Sequence, residues 1–472
     1  MTEPIVGQAT SNRRWWVLAV VASAQFLNGT AVFVASVAIP TIVAELQASD
    51  IEGQAAIAIY LVSYGALIVI GGRLGDIYGI KTIFLAGLVG FILSSVWCGL
   101  SRSGLELILA RLAQGATAAL MVPQVLATLH LLFPDEGRSR AFAVYGIALG
   151  LGGAAGFAIG GILVTWNIAG LGWRSAFLVN VPIGLVIFGA ALVLMTSPPR
   201  QPDKKLDGLG GCLLLVGLLC LIGPLLFGRE FDWSLSVWAT MALGVALVGL
   251  FVKFERWMAA RGGLPLVDLA LLADRPFLFG LSAAFFFFCA NVSFYLVMSL
   301  FMQDTLRFSP LESGLALVPL TFAFIVASRH SDVRARLRGP LVLLEGCALQ
   351  VVGLAALAVL VAASNAPSFM AVTLVLVIFG YGQGLVMAPL SSVVLSTVRP
   401  ESAGSGSGLY GTVTQIANAV GVATIGAAYF SVRSAYSAPA AFYVALTLLA
   451  LIIAICGGLL KQRTAIRGLP VR

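Results

Sequence analysis

The sequence predicts an all-α polytopic membrane protein, and three observations carry that prediction. Of 472 residues, 60% are hydrophobic and only 10% are charged, whereas a soluble domain carries about 25% charged residues. The mean hydropathy is +1.01. The apolar residues also fall in long runs, close to the ~20 residues that a membrane-crossing helix needs. Together these exclude a soluble enzyme, a disordered tail and a secreted disulfide scaffold. The six cysteines (Cys98, Cys212, Cys220, Cys289, Cys347 and Cys456) all lie inside apolar runs without CxxC spacing. Neither a disulfide framework nor a zinc site is therefore indicated.

Taken in order, Arg13-Arg14 precedes an apolar run that continues to Ile39. That run is too long for the core of a signal peptide, and it reads as an uncleaved first span. The first six spans are expected at 15–40, 53–72, 82–101, 105–132, 140–166 and 174–196. A polar linker follows, Ser197-Pro198-Pro199-Arg200 through Asp207, and then two spans at 208–227 and 234–252. A charged stretch from Lys253 to Arg275 leads to the last six, at 276–302, 310–328, 340–363, 367–391, 404–430 and 438–460. The total is fourteen.

Basic residues test this count, because cytoplasmic loops collect Lys and Arg. With the N-terminus inside, cytoplasmic segments hold 22 of the 28 basic residues. Outer loops hold only Arg102, Arg174, Arg229, Arg307 and Arg433, and Arg111 lies within a span. Both termini are thus expected in the cytoplasm. The +8 net charge reflects this placement and does not point to nucleic acid.

The chain also repeats itself. Val144-Tyr145-Gly146 returns as Leu409-Tyr410-Gly411, 265 residues later. At the same offset Gly156 matches Gly421, Gly161 matches Gly426, and Ala176-Phe177 matches Ala441-Phe442. Arg73-Leu74-Gly75-Asp76 resembles Arg329-His330-Ser331-Asp332. The expected plan is 6+2+6: a six-helix half over 1–198, an inserted helix pair with its linkers over 199–275, and a second half over 276–472. Repeated halves that rock about a central site are a design of secondary transporters.

After span two the chain reads Gly72-Arg73-Leu74-Gly75-Asp76-Ile77-Tyr78-Gly79-Ile80-Lys81. This tight turn resembles the G-x-L-x-D-x-x-G-x-K loop of the major facilitator superfamily through Gly72, Leu74, Asp76, Gly79 and Lys81. The resemblance implies a latch between the halves on the cytoplasmic side, with Asp332 as its counterpart in the repeat. In span four, Arg111-Leu112-Ala113-Gln114-Gly115 is similar to the family's R-x-x-Q-G motif, which implies that Arg111 and Gln114 serve proton coupling or substrate charge. An arginine inside a span costs at least ~2.5 kcal/mol and should face protein or water. The alternative is an arginine near the outer end that snorkels to water.

Span five carries Gly152, Gly156, Gly160 and Gly161, whose spacing lets helix backbones approach closely. The run resembles the superfamily's antiporter motif G-x-x-x-G-P-x-x-G-G, with Phe157 in the place of its proline. Packing alone is the other reading of these glycines. Trp173 to Gly184, Gln303 to Leu315 and Val37-Ala38-Ile39-Pro40-Thr41-Ile42 resemble the fourteen-span drug:proton antiporter subfamily, and the likeness covers essentially the whole chain. That subfamily carries an acid before its V-A-x-P segment, where this chain has Ala31. Of the twenty acids, Glu345 stands out as lying inside a span, and intramembrane carboxylates are functional candidates. Its alternative is a residue reaching water or an arginine of the inner loop.

By resemblance, spans one, four, nine and twelve line the transport path. They offer Gln25 and Asn28, Asn291, Phe294 and Tyr295, and Tyr381 and Gln383, with Gln415 from span thirteen. Aromatic surfaces with few polar groups suit amphipathic ligands and cations. An enzyme is not expected: His130 and His330 are the only histidines, and no HExxH or Walker loop occurs. Gly406-Ser407-Gly408-Leu409-Tyr410-Gly411 fits GxGxxG but opens a membrane span with no strand before it.

The expected function is proton-coupled export of drug-like or amphipathic small molecules from the inner, or plasma, membrane. Export or facilitated movement of an endogenous metabolite or lipid without proton exchange is the alternative, and a non-transporting sensor is the remaining class. No cofactor or metal is expected. The expected partners are an amphipathic small molecule, protons and the bilayer, with no nucleic acid.

Overall fold

The structure is a computed structural model, and it describes residues 11–133, 138–196, 207–261, 263, 265–339, 341–364, 367–398 and 403–466. Its helices are α1 (Ser11–Leu46), α2 (Asp50–Tyr78), α3 (Ile80–Leu100), α4 (Gly104–Leu132), α5 (Arg138–Trp166), α6 (Arg174–Leu178) and α7 (Asn180–Leu194). They continue with α8 (Gly208–Phe227), α9 (Leu235–Ala260), α10 (Arg275–Leu300), α11 (Pro310–Arg338), α12 (Leu341–Ala363), α13 (Phe369–Leu395), α14 (Ala403–Ala435) and α15 (Ala438–Ile466). Among the described residues thirteen helices are long and apolar enough to cross a membrane, with α6 and α7 counted as one. The remaining expected span, α5, is 29 residues long, and its described apolar stretch is Gly150–Trp166.

Several helices run past their apolar segments. A membrane leaves backbone N–H and C=O groups no partner but the helix itself, so the helix continues until water or a cap replaces it. The clearest overrun is α9, which reaches Ala260 and takes up Lys253, Glu255 and Arg256 from the stretch read as a connector. Most of the polar linker before Asp207 lies outside the described residues.

Local chemistry recurs along the chain. Both α2 and α11 begin with a capping box: Ser49 with Glu52, and Ser309 with Glu312. In each, the serine oxygen and the glutamate carboxylate satisfy backbone N–H groups that the first turn leaves free. Pro123 in α4 and Pro389 in α13 stand at almost the offset of the sequence repeat. Gly156 of α5 packs against Thr30 and Phe33 of α1, and Gly421 of α14 packs against Cys289 and Ser293 of α10. The same helix pair is therefore built twice.

Within the first group α1 packs on α4, α5 and α7, and α4 packs on α2 and α3. Within the second, α10 packs on α14 and α15, and α13 packs on α11 and α12. The groups meet along α2–α14 and α5–α11, and more lightly along α1–α10. Helices α8 and α9 pair with each other, and α8 rests on both α2 and α14. The start of α1, the end of α15 and the α2–α3 turn share one end of the bundle, called the basic end below. The opposite end is the far end.

Candidate functional site

The α2–α3 turn is held by Gly79, whose φ of +98° is a conformation that a side chain disfavours. Its N–H caps α2 on the Gly75 carbonyl, 2.9 Å away. Lys81 donates to the Leu192 carbonyl at the end of α7, at 2.7 Å. Arg73 donates to the Pro265 carbonyl, beyond α9, and Asp76 lies within electrostatic reach of Arg73. Gly72 faces Pro123 of α4, and Leu74 is half-buried. Lys81 is thus bound within its own half, and Arg73 to the inserted pair. The Asp332 side chain lies outside the described residues.

Arg111 does not snorkel. It sits about two turns into α4, fully buried. Its Nε donates to the Ala56 carbonyl at 3.0 Å, and its Nη1 to the Ala31 carbonyl at 3.3 Å and Gln114 Oε1 at 2.7 Å. The guanidinium carbon lies 4.2 Å from the Tyr60 ring centroid, within cation–π range. Gln114 donates from Nε2 to Ser95 Oγ at 2.8 Å, and the Tyr60 hydroxyl donates to Asn28 Oδ1 at 2.5 Å. One network therefore ties α1, α2, α3 and α4 around a charge that receives only neutral acceptors. Arg111 Nη2 has no hydrogen-bond partner. Ala31, standing where an acid was expected, meets the guanidinium through its backbone carbonyl.

The α5 glycines divide between two neighbours. Gly152, Gly156 and Gly160 lie against Phe26, Thr30, Phe33 and Val34 of α1. Gly161 faces α11 instead: a Cβ there would lie 2.6 Å from the Pro310 carbonyl oxygen and 3.0 Å from Leu311 Cα. Phe157, in the place of the motif's proline, is fully buried. Its ring centroid is 4.9 Å from both Phe33 and Tyr295.

The expected cavity residues do not form one lining. Tyr295 donates to Gln383 Oε1 at 2.8 Å and joins the Phe33–Phe157 cluster at the meeting of the halves. Gln25, Asn28 and Asn291 are buried, and Gln25 Oε1 is unpartnered. Phe294 instead stacks on Phe379 at 3.8 Å inside the second half, so it packs the core. Tyr381 points away from Gln383 toward α11, its hydroxyl 3.0 Å from His330 Nδ1. Gln415 faces Gly65 across the α2–α14 contact. Phe285 and Phe286 line a cavity of about 210 Å³ with Leu281, Ser282 and Val413.

Glu345 lies one turn into α12 at the basic end. Its carboxylate pairs with Arg334 at 3.3 Å and Arg338 at 2.6 Å, which is the inner-arginine arrangement. The acid that sequence reasoning missed is Glu255, nearly fully buried on α9 and facing the equally hidden Asp207. Its signal was weak: Asp207-Gly208 reads as a helix cap, and Lys253-Phe254-Glu255-Arg256 reads as a charged loop.

At the far end the two halves are bolted together. Gln303 Nε2 donates to the Val37 carbonyl at 3.1 Å, and Gln54 Nε2 to the carbonyls of Ala423, at 3.0 Å, and Val422. The Leu311 N–H donates to Thr165 Oγ1 at 3.1 Å. Arg433 pairs with Asp304 at 2.9 Å and reaches Asp50 at 3.7 Å.

Comparison with known proteins gives this architecture its family. The Major Facilitator Superfamily description matches residues 21–422. A probable actinorhodin transporter of Streptomyces coelicolor is 34% identical over 427 residues, covering 89% of this chain and 73% of that protein. A puromycin resistance protein of Streptomyces alboniger is 30% identical over 445 residues, or 91% and 85% of the two chains. The tetracenomycin C resistance and export protein of Streptomyces glaucescens is 30% identical over 420 residues, or 88% and 76%. Among solved structures, a POT family transporter in complex with a thioalcohol-conjugated peptide superposes with a TM-score of 0.70 at 13% identity, over 95% and 96% of the chains. An inward-facing, unoccupied bacterial homolog of the human lysosomal transporter Spinster gives 0.65 at 15%, over 97% and 98%. With the family description spanning most of the chain and the fold matching end to end, the protein belongs to the Major Facilitator Superfamily of multi-pass membrane transporters.

Proposed function

We propose that the chain exports a drug-like or amphipathic small molecule across the plasma membrane by alternating access, exchanging it for protons. The observation that carries this reading is the bolted far end. With the basic end in the cytoplasm, the side that collects positive charge, the bolts close the outer side. The halves 1–198 and 276–472 then rock about the Phe33–Phe157–Tyr295 cluster, with 199–275 as the inserted pair. In the structure Gln25, Asn28 and Gln383 are buried, and substrate from the cytoplasm meets them and the neighbouring aromatic faces as the halves move. Relatives named for actinorhodin transport and for tetracenomycin C resistance and export support an antibiotic-like substrate class.

Arg111 is the charge that such a cycle must manage, because it is buried with no counter-ion in contact among the described residues. Uncoupled export is the second reading, and Ala31 favours it, since helix one has no acid at that position and its Glu45, near the far end, is paired with Arg174. One experiment separates the two: purified protein in liposomes with a pH dye inside, a proton gradient, and candidate amphiphiles added singly. Antiport predicts substrate-evoked proton efflux that falls to background in Arg111→Ala while insertion is unchanged. Wild-type rates in that variant would remove Arg111 from the mechanism. Substrate movement without proton flux would establish the uncoupled reading.

A further inference from the structure

The inserted helix pair carries a buried acid pair at the basic end. Glu255 projects inward from the last turns of α9 and is 1% exposed, and Asp207, just before α8, is 5% exposed. Each carboxyl uses one oxygen on backbone: Asp207 Oδ1 accepts from the Gly210 N–H and Glu255 Oε2 from the Val267 N–H, both at 2.8 Å. The other two oxygens, Asp207 Oδ2 and Glu255 Oε1, are buried and receive no N–H or O–H from the described residues. The two carboxyls face each other, and both free oxygens crowd the place where a Cβ on Gly210 would sit.

Among the described residues, the charged groups facing Glu255 are Asp207 and Arg73. Arg73 comes from α2, with Asp76 beside it on the same helix, and it also donates to Pro265 in the connector after α9. Three segments thus converge: the end of α2, the start of α8, and α9 with its connector. Two ionised carboxylates in contact repel each other, whereas one proton between them turns the contact into a strong hydrogen bond and leaves a single negative charge. Arg73 is the cation that balances that charge.

We propose that Asp207 and Glu255 bind one proton between them, and that this proton clasps the inserted helix pair to the α2–α3 turn. Removing it places two negative charges against one guanidinium in a buried site, and the clasp opens. Because α8 rests on both α2 and α14, the clasp bears on a contact between the two halves. That consequence rests on the alternating-access reading, whereas the proton itself does not.

The test uses the full chain in lipid, titrated from acid to alkaline pH. Infrared difference spectra should show the carbonyl stretch of a protonated carboxylic acid vanishing as the pH rises. That band should be lost in both Asp207→Asn and Glu255→Gln, because neither acid alone shares a proton. Spin labels at the exposed Tyr78 and Ala273 should move apart as the band disappears. In the Asp207→Asn/Glu255→Gln double variant, whose amides can still bond each other, the distance should stay short at every pH. A band that survives both single variants, no band at all, or a wild-type distance independent of pH would each overturn the clasp. A pH-dependent clasp in a protein that moves no substrate would count against the transport reading and leave the proton site standing.

Discussion

Two contacts join the halves, and although the repeat makes them counterparts, they are built differently. Along α5–α11, backbone meets backbone: Gly161 faces Pro310 and Leu311, and Gly314 faces Phe157. Along α2–α14, side chains mediate: Gln54 reaches the Val422 and Ala423 carbonyls, and Gln415 covers Gly65. The counterpart glycines show the contrast most clearly. A Cβ on Gly161 would meet main-chain atoms, and one on Gly426 would meet the amide of Gln54. Main chain cannot yield without moving a helix, whereas an amide can swing aside. The α5–α11 contact is therefore suited to a pivot of fixed spacing, and the α2–α14 contact to a joint that makes and breaks.

The largest expected effect comes from forcing the pivot apart. Gly161→Val should cut transport roughly fivefold to a hundredfold with insertion retained, since overpacking costs typically ~1–3 kcal/mol and every ~1.4 kcal/mol is tenfold. Gly426→Ala should cost less, because only the Gln54 amide has to move. Proteoliposome transport of both variants checks the ranking. Equal losses would show that the two contacts are mechanically alike and would break the comparison.

An intermediate effect is expected at Gln54. Gln54→Leu deletes two donated hydrogen bonds, together about 1–3 kcal/mol at ~0.5–1.5 each, from the state closed at the far end. Spin labels at the exposed Trp166 and Tyr436 should report a larger population with the far end open. Gly426→Ala added to Gln54→Leu should then change little, because the amide it displaces is already gone. Full additivity in that cycle would mean that Gly426 acts on something other than Gln54.

The sequence made one of these contacts easier to anticipate than the other. Small-residue spacing marked Gly152 to Gly161 as a packing face, because close backbone approach leaves its mark in residue size. That the face splits, three glycines toward α1 and one toward α11, depends on where two neighbouring helices lie, which no local pattern encodes. Arg111 was legible for a similar reason: its partner Gln114 lies one turn away, so the motif contains much of its own hydrogen bonding. Tyr381 and Gln383 were grouped by proximity in sequence, yet two residues turn a helix by about 200° and send them to different helices. Glu255 was hidden more completely. Charged neighbours read as a solvated loop, and the groups that meet the inward-facing carboxylate, Asp207, Arg73 and the Val267 N–H, come from other segments.

The smallest expected effect belongs to the ion pairs at the end of the α2–α14 joint. Arg433 and Asp50, which pair across the joint, keep a third and nearly half of their side-chain surface exposed, and pairs of that kind contribute roughly 0.2–1 kcal/mol. Arg433→Ala should therefore shift the Trp166–Tyr436 distance distribution less than Gln54→Leu does. Its effect should also shrink as salt rises, because screening over ~10 Å at 0.1 M already weakens exposed charges. The Gln54 effect should not follow salt, since its donor and acceptors are neutral and buried. A salt-independent Arg433→Ala effect as large as that of Gln54→Leu would make the ion pair the main bolt, and the joint would then depend on charge where the geometry assigns it to an amide.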